Sequence, residues 1–235
     1  MKLFLSILFL SAVAGAAYFF TRSTPNNTDG YPQPNGRETV QSIQSKFDSL
    51  VLFRLNEDLE KAGFSGFPES ISILIFKEER KLELYGQKNE HPILIKTYPF
   101  TAFSGKLGPK LKEGDRQIPE GIYKIEYLNP NSSYHLSAKV NYPNEFDRQM
   151  AKNDGRTNLG GDIFIHGKNK TIGCVPLGDE AIEEVFVLIS HIHPSPIEVI
   201  ISPRDFRTNP TRPDIAKISW EDTLYQRVAQ ALTAY

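Results

Sequence analysis

The chain has 235 residues, 27 Lys and Arg against 28 Asp and Glu, and a single Cys, so no internal disulfide is possible. Hydrophobic residues make up 40% and charged residues 23%, which places it with globular chains rather than disordered or collagen-like ones. Residues 1–22 carry only Lys2 and Arg22, so without them 25 basic residues face 28 acidic ones. A nucleic-acid binder shows the opposite excess, and the balance argues against DNA or RNA as a partner.

Met1-Lys2 followed by an uncharged apolar run from Leu3 to Phe20 reads as an export segment over residues 1–22. Ala12-Val13-Ala14 and Ala14-Gly15-Ala16 are small-residue cleavage patterns, while the apolar run is nearly long enough to span a bilayer. Cleaved signal and retained inner-membrane anchor therefore both stand, and any membrane contact is expected through this segment alone. The expected location is the periplasm or cell envelope. Residues 23–36, rich in Pro, Asn and Gly, read as a flexible linker.

A helical segment is expected over 37–69. Val40, Ile43, Phe47, Leu50, Leu55 and Leu59 form its apolar stripe, and Gly63 follows as a stop. Strands are expected at Ser70–Phe76 and Lys81–Tyr85, as a hairpin, then at Pro92–Tyr98, Gly121–Tyr127, Asp162–His166 and Ile197–Ile201. The long Ser104–Gly121 loop has the length at which loops carry function. Asp179 is expected to cap a helix running to about Ser190. Over 204–235, a C-terminal extension, Ser219 caps a helix with Trp220, Leu224, Val228 and Leu232 on one face. The pattern is an α+β domain at 70–203 flanked by terminal helices.

Chemistry concentrates between Gly160 and Val175, where His166 and Cys174 stand among glycines. A thiol becomes a nucleophile when an imidazole takes its proton. Seven residues separate the two. A tight turn pairing His166 with Thr171 would send Cys174 to the opposite face. A loop over Gly167–Gly173 would let the two face each other, with Cβ atoms about 4.5–5.5 Å apart. An exported lone Cys that is merely a small buried hydrophobe is the competing reading. His191 and His193 lack a convincing third metal ligand and suit a helix C-terminus, so no metal and no cofactor are expected. Lys106, Lys110, Lys112 and Arg116 are either a patch for anionic polymer or a solvated loop.

His166-Gly167 followed by Thr171-Ile172-Gly173-Cys174 resembles the His…Ser/Thr-x-Gly-Cys signature of the L,D-transpeptidase (YkuD-type) catalytic domain. Upstream, Leu107-Gly108-Pro109-Lys110, Glu113-Gly114-Asp115-Arg116 and Pro119-Glu120-Gly121-Ile122-Tyr123 resemble its Gly-Asp-x-x-Thr-Pro-x-Gly-x-Tyr region. Asn129–Ser137 and Tyr142-Pro143-Asn144 are similar to the narrower YafK-like branch, whose short His–Cys spacing this chain shares. The resemblance spans about Ile71 to Ile201. It implies a mixed β-sheet, open and sandwich-like, with peripheral N- and C-terminal helices.

For the site, the resemblance implies Cys174 as nucleophile, His166 as general base and acid, and the Gly167 carbonyl orienting His166. Backbone N–H groups around Gly173 and Cys174 would form the oxyanion hole. The substrate implied is the peptidoglycan stem peptide at meso-diaminopimelate, in wall biogenesis, remodelling and cell shape. Hydrolysis within the same family is the alternative, including release of a wall-attached lipoprotein; a non-catalytic wall-binding module is the second. The family's Arg two residues after the Cys is Pro176 here. Arg156 is the expected replacement, its fork suited to a carboxylate, with His135 and Thr171 as further groove residues.

Overall fold

The structure is a computed structural model that describes residues 37–235 apart from 214, 216 and 217; the expected export segment 1–22 and linker 23–36 lie outside the described residues. Among the described residues, no helix is long and apolar enough to cross a membrane.

Helix α1 (Val40–Lys61) begins at a capping box, in which Thr39 Oγ1 accepts from Ser42 N and Ser42 Oγ accepts from Thr39 N. Its buried residues recur every fourth position: Ile43, Phe47, Val51, Leu55 and Leu59. Leu50, expected on that stripe, is 41% exposed, because a four-residue repeat passes through Val51 instead.

Eight strands follow: β1 (Ile71–Phe76), β2 (Lys81–Lys88), β3 (His91–Pro99), β4 (Gly121–Ser132), β5 (His135–Val140), β6 (Phe164–His166), β7 (Val175–Pro176) and β8 (Glu198–Ser202). They form one mixed sheet in the order β3-β2-β1-β8-β4-β5-β6-β7. The β1–β2 hairpin expected from sequence forms, pairing Ile71 with Gly86 and Phe76 with Lys81. Strand β8 lies parallel to β1 and β7 parallel to β6; the other pairs are antiparallel.

The mixed α+β architecture is as expected, but the terminal helices do more than sit at its edge. Helix α1 and helix α3 (Asp179–Ile192) cover one face, burying Ile73, Ile75, Val199 and Ile201. Helix α4 (Glu221–Leu232) covers the other over Leu74, Phe76 and Ile200. That two-sided cover explains why every residue of β1 is buried.

Strands β5 and β7 and helix α2 (Glu145–Asn153) were not expected. The alternation Leu136, Ala138, Val140 in β5 and the Asn144/Asp147 capping box of α2 are their sequence signals. Two caps differ from expectation. Gly178 rather than Asp179 precedes α3, and Trp220 rather than Ser219 precedes α4.

Candidate active site

Strand register decides which side chains meet. Pairing of Ile165 with Val175 and His166 with Pro176 is parallel, so the segment between them is a crossover loop and neither an antiparallel hairpin nor a facing pair forms. Continued one step back, that register sets Cys174 beside Phe164. His166 and Cys174 thus share one face, a diagonal step apart. Strand β5 adds Ser137 beside His166 and Lys139 beside Phe164. The opposite face, carrying Leu136, Ala138, Ile165 and Val175, is packed into the core with α3.

His166 is 3% exposed, and its Nδ1 lies 2.6 Å from the Gly167 carbonyl oxygen. A carbonyl only accepts, so Nδ1 is the donor and Nε2 carries the lone pair. No side chain fits at Gly167: a Cβ there would lie 2.6 Å from Asp179 Oδ1 and 2.7 Å from the Tyr134 carbonyl oxygen. The same Asp179 oxygen accepts from Lys168 N at 2.8 Å, tying the loop after His166 to the start of α3.

The Cys174 thiol donates to the Asp162 carbonyl at 3.3 Å. Burial pushes the thiol above its ordinary pKa, against the opposing pull of a backbone hydrogen bond from Phe164 and the nearby Lys139 charge. Burial also pushes His166 below the ordinary imidazole range. The two groups rest as neutral thiol and neutral imidazole.

Thr171 acts on the loop itself. Its Oγ1 donates to the Cys174 carbonyl at 2.8 Å and accepts from the N–H groups of Gly173 at 3.2 Å and Cys174 at 2.8 Å. Those two N–H groups were expected to form the oxyanion hole; here the threonine hydroxyl occupies both, as short polar side chains do when they compete for backbone. Gly173 sits at φ +132°, where a Cβ would meet the Gln117 carbonyl at 3.0 Å, so the glycine is needed for the close approach of the Gln117 loop.

Two expected groove residues are held elsewhere. His135 has φ +73°, which breaks the strand's alternation and turns its ring to the helical layer. There its Nε2 lies 2.8 Å from Glu183 Oε1, and Arg54 of α1 bonds the other carboxylate oxygen at 2.7 Å. Arg156 spends its fork on Asp154 at 2.9 Å and the Leu111 carbonyl at 2.9 Å, with the guanidinium over the Trp220 ring. It clamps loop to helix. Of the basic loop cluster, Lys110 is neither solvated nor free: it is 6% exposed and bonds Asp115 at 2.6 Å. His191 bonds Asp48 at 2.9 Å across to α1.

Three residues at the site were missed. Tyr134, the neighbour of His135, places its ring 4.6 Å from that of His166. Lys139 and Asp162 pair at 2.7 Å beside Cys174 and border a recess of about 610 Å³. The β5 alternation, followed through, would have placed Lys139 on the cysteine face.

One sheet edge thus carries an imidazole held on the Gly167 carbonyl and a thiol a diagonal step away. Residues 70–200 match the family model YkuD, L,D-transpeptidase catalytic domain, and the chain belongs to that family. Among curated proteins it is similar to YafK of Escherichia coli, from strain K12 and from O157:H7, each 35% identical over 122 residues, covering 51% of this chain and 47% of the relative. The chain thus matches about half the length of these relatives.

Among solved structures it is similar to the helical cell shape determining protein Pgp2 from Campylobacter jejuni, at 22% identity and TM-score 0.47, covering 76% of this chain and 62% of that one. It is also similar to Bd1075 of Bdellovibrio bacteriovorus, at 23% identity and TM-score 0.42, covering 71% and 56%.

Proposed function

We propose that this chain is an exported cysteine-dependent acyl transferase of the cell envelope. Its substrate is the peptidoglycan stem peptide, cut at the amide beside meso-diaminopimelate. The observation that carries the reading is the shared face of His166 and Cys174, with Nδ1 of the imidazole held on the Gly167 carbonyl.

In the first half-reaction Cys174 Sγ gives its proton to His166 Nε2 and attacks the amide carbonyl carbon. The C–N bond breaks as His166 returns the proton to the leaving amine, and a thioester remains. An acceptor amine then yields a cross-link, while water yields a trimmed stem or a released wall-attached protein. The thioester is common to all of these.

The test incubates the full chain with defined stem peptides, some bearing a linked lysine peptide, and follows products by mass spectrometry. Cross-linked dimer, shortened stem or released lysine peptide names the acceptor. Cys174→Ala is expected to abolish whichever product forms. Product that persists in this variant would overturn the mechanism. A wild-type chain that binds the peptides and gives no product would favour a wall-binding module.

A further inference from the structure

The recess bordered by Lys139 and by Asp162, the residue whose carbonyl accepts the Cys174 thiol, carries three cations, Lys124, Lys139 and Arg148, against two carboxylates, Glu126 and Asp162. Lys124 and Arg148 are exposed and form no ion pair among the described residues. The surplus leaves room for one further anion.

Lys139 and Asp162 are unequal partners. The Lys139 side chain is 11% exposed and that of Asp162 is 90% exposed. The lysine is also fixed, with its ammonium 4.9 Å from the centre of the Phe164 ring. A water-washed carboxylate on a fixed ammonium is weakly held and open to exchange.

Asp162 has a second connection to the chemistry. It sits at φ +53°, and its backbone carbonyl is the acceptor of the Cys174 thiol at 3.3 Å. One residue therefore holds both the cation and the nucleophile at rest. Pro176 leaves the position two residues after Cys174 uncharged, and Lys139 brings a positive charge near the thiol from another strand.

We propose that the recess is a carboxylate subsite, with Lys139 as its anchoring cation and the Asp162 carboxylate as the group that an incoming substrate carboxylate displaces. The proposal rests on the stem-peptide reading above and names the feature of that peptide that is recognised. Displacement frees the side chain of the residue whose carbonyl holds the thiol, so arrival of the substrate and release of the nucleophile are coupled through Asp162.

Binding separates this from the reaction itself. In the full chain carrying Cys174→Ala, calorimetry compares three stem tetrapeptides: one with free carboxylates, one amidated at its C-terminus and one amidated at the diaminopimelate side-chain carboxyl. One amidated form is expected to bind about tenfold more weakly or worse, the effect of losing a charge-assisted hydrogen bond. Adding Lys139→Met is expected to weaken the free peptide by the same factor and leave that amidated form unchanged. Asp162→Asn, which tolerates the same backbone, is expected to tighten the free peptide and provides a second variant should Lys139→Met fold poorly.

Equal affinity for all three peptides would overturn the subsite, as would a Lys139→Met penalty equal on every peptide. With Cys174 intact, products without carboxylate discrimination would sink the subsite alone. Discrimination without products would sink the reaction alone.

Discussion

At the scale of single residues, burial shifts the protonation of His166 and Cys174. The thiol lies above its ordinary pKa and the imidazole below its own, so the thiolate fraction at pH 7 is smaller than in a free cysteine. Alkylation of Cys174 by iodoacetamide at pH 7 is expected to be slower than for a free thiol and to rise only in the alkaline range; an inflection near neutrality would contradict the neutral pair. Slow labelling is thus a property of the resting site and is no argument for a binding module. The acid limb of kcat/KM is expected below about pH 6.5, because His166 stays an unprotonated base further into acid than a free imidazole does. Thr171 is the other decisive residue. Thr171→Val deprives two backbone N–H groups of their acceptor and frees the loop that leads into Cys174. A fall in kcat of about a hundredfold is expected, the scale of a misplaced reacting group, while Thr171→Ser keeps most of the activity. Equal rates for valine and serine would show that the hydroxyl does not hold the loop.

At the scale of elements, α2 is built on a carboxyl that burial keeps partly protonated. Asp147 closes the capping box with Asn144 and accepts from Tyr123 Oη at 3.2 Å, and burial pushes it up to about 6. Its unfolded value is about 3.9. Between these values the folded chain binds more protons than the unfolded chain, so this group favours folding below about pH 4. That contribution is lost as pH climbs through about 6. Asp147→Asn is expected to remove this pH dependence and to cost little or nothing at pH 7, read by urea unfolding at pH 4 and pH 7. A large loss at pH 7 would mean that the ionised form is the one α2 needs.

At the scale of the whole molecule, a buried ion pair joins the long loop to both layers. Lys77 and Glu120 are fully buried and 2.8 Å apart; the ammonium also bonds the carbonyls of Gly108 and Ile118, and Glu120 accepts from Gly108 N and Tyr225 Oη. Strand β1 ends just before Lys77, and Tyr225 lies on α4, so the pair connects sheet, loop and terminal helix. Removing one partner strands a charge in the interior, and Lys77→Met is expected to cost about 3–5 kcal/mol in denaturant unfolding. Adding a replacement of Glu120 by Leu should recover part of that loss. A cost under about 1 kcal/mol for Lys77→Met alone would show that water reaches the pair.

The elements with strong local signals were legible in the sequence: the long amphipathic helices, the β1–β2 hairpin, and a His and Cys set in glycine-rich chain. Each depends on periodicity or spacing within a short window, which sequence displays directly. Tertiary structure decided the rest. Parallel pairing of β6 with β7 set the His166–Cys174 diagonal, and the positive φ at His135 exchanged it for Tyr134 at the imidazole. Competition for Arg156 and for the N–H groups of Gly173 and Cys174 was settled by partners elsewhere in the fold or by loop closure. Sequence singled out His166 and Cys174 because the chemistry of a thiol and an imidazole is intrinsic to the side chain; which hydrogen bonds each would spend, and on whom, depends on neighbours that only the folded chain brings together.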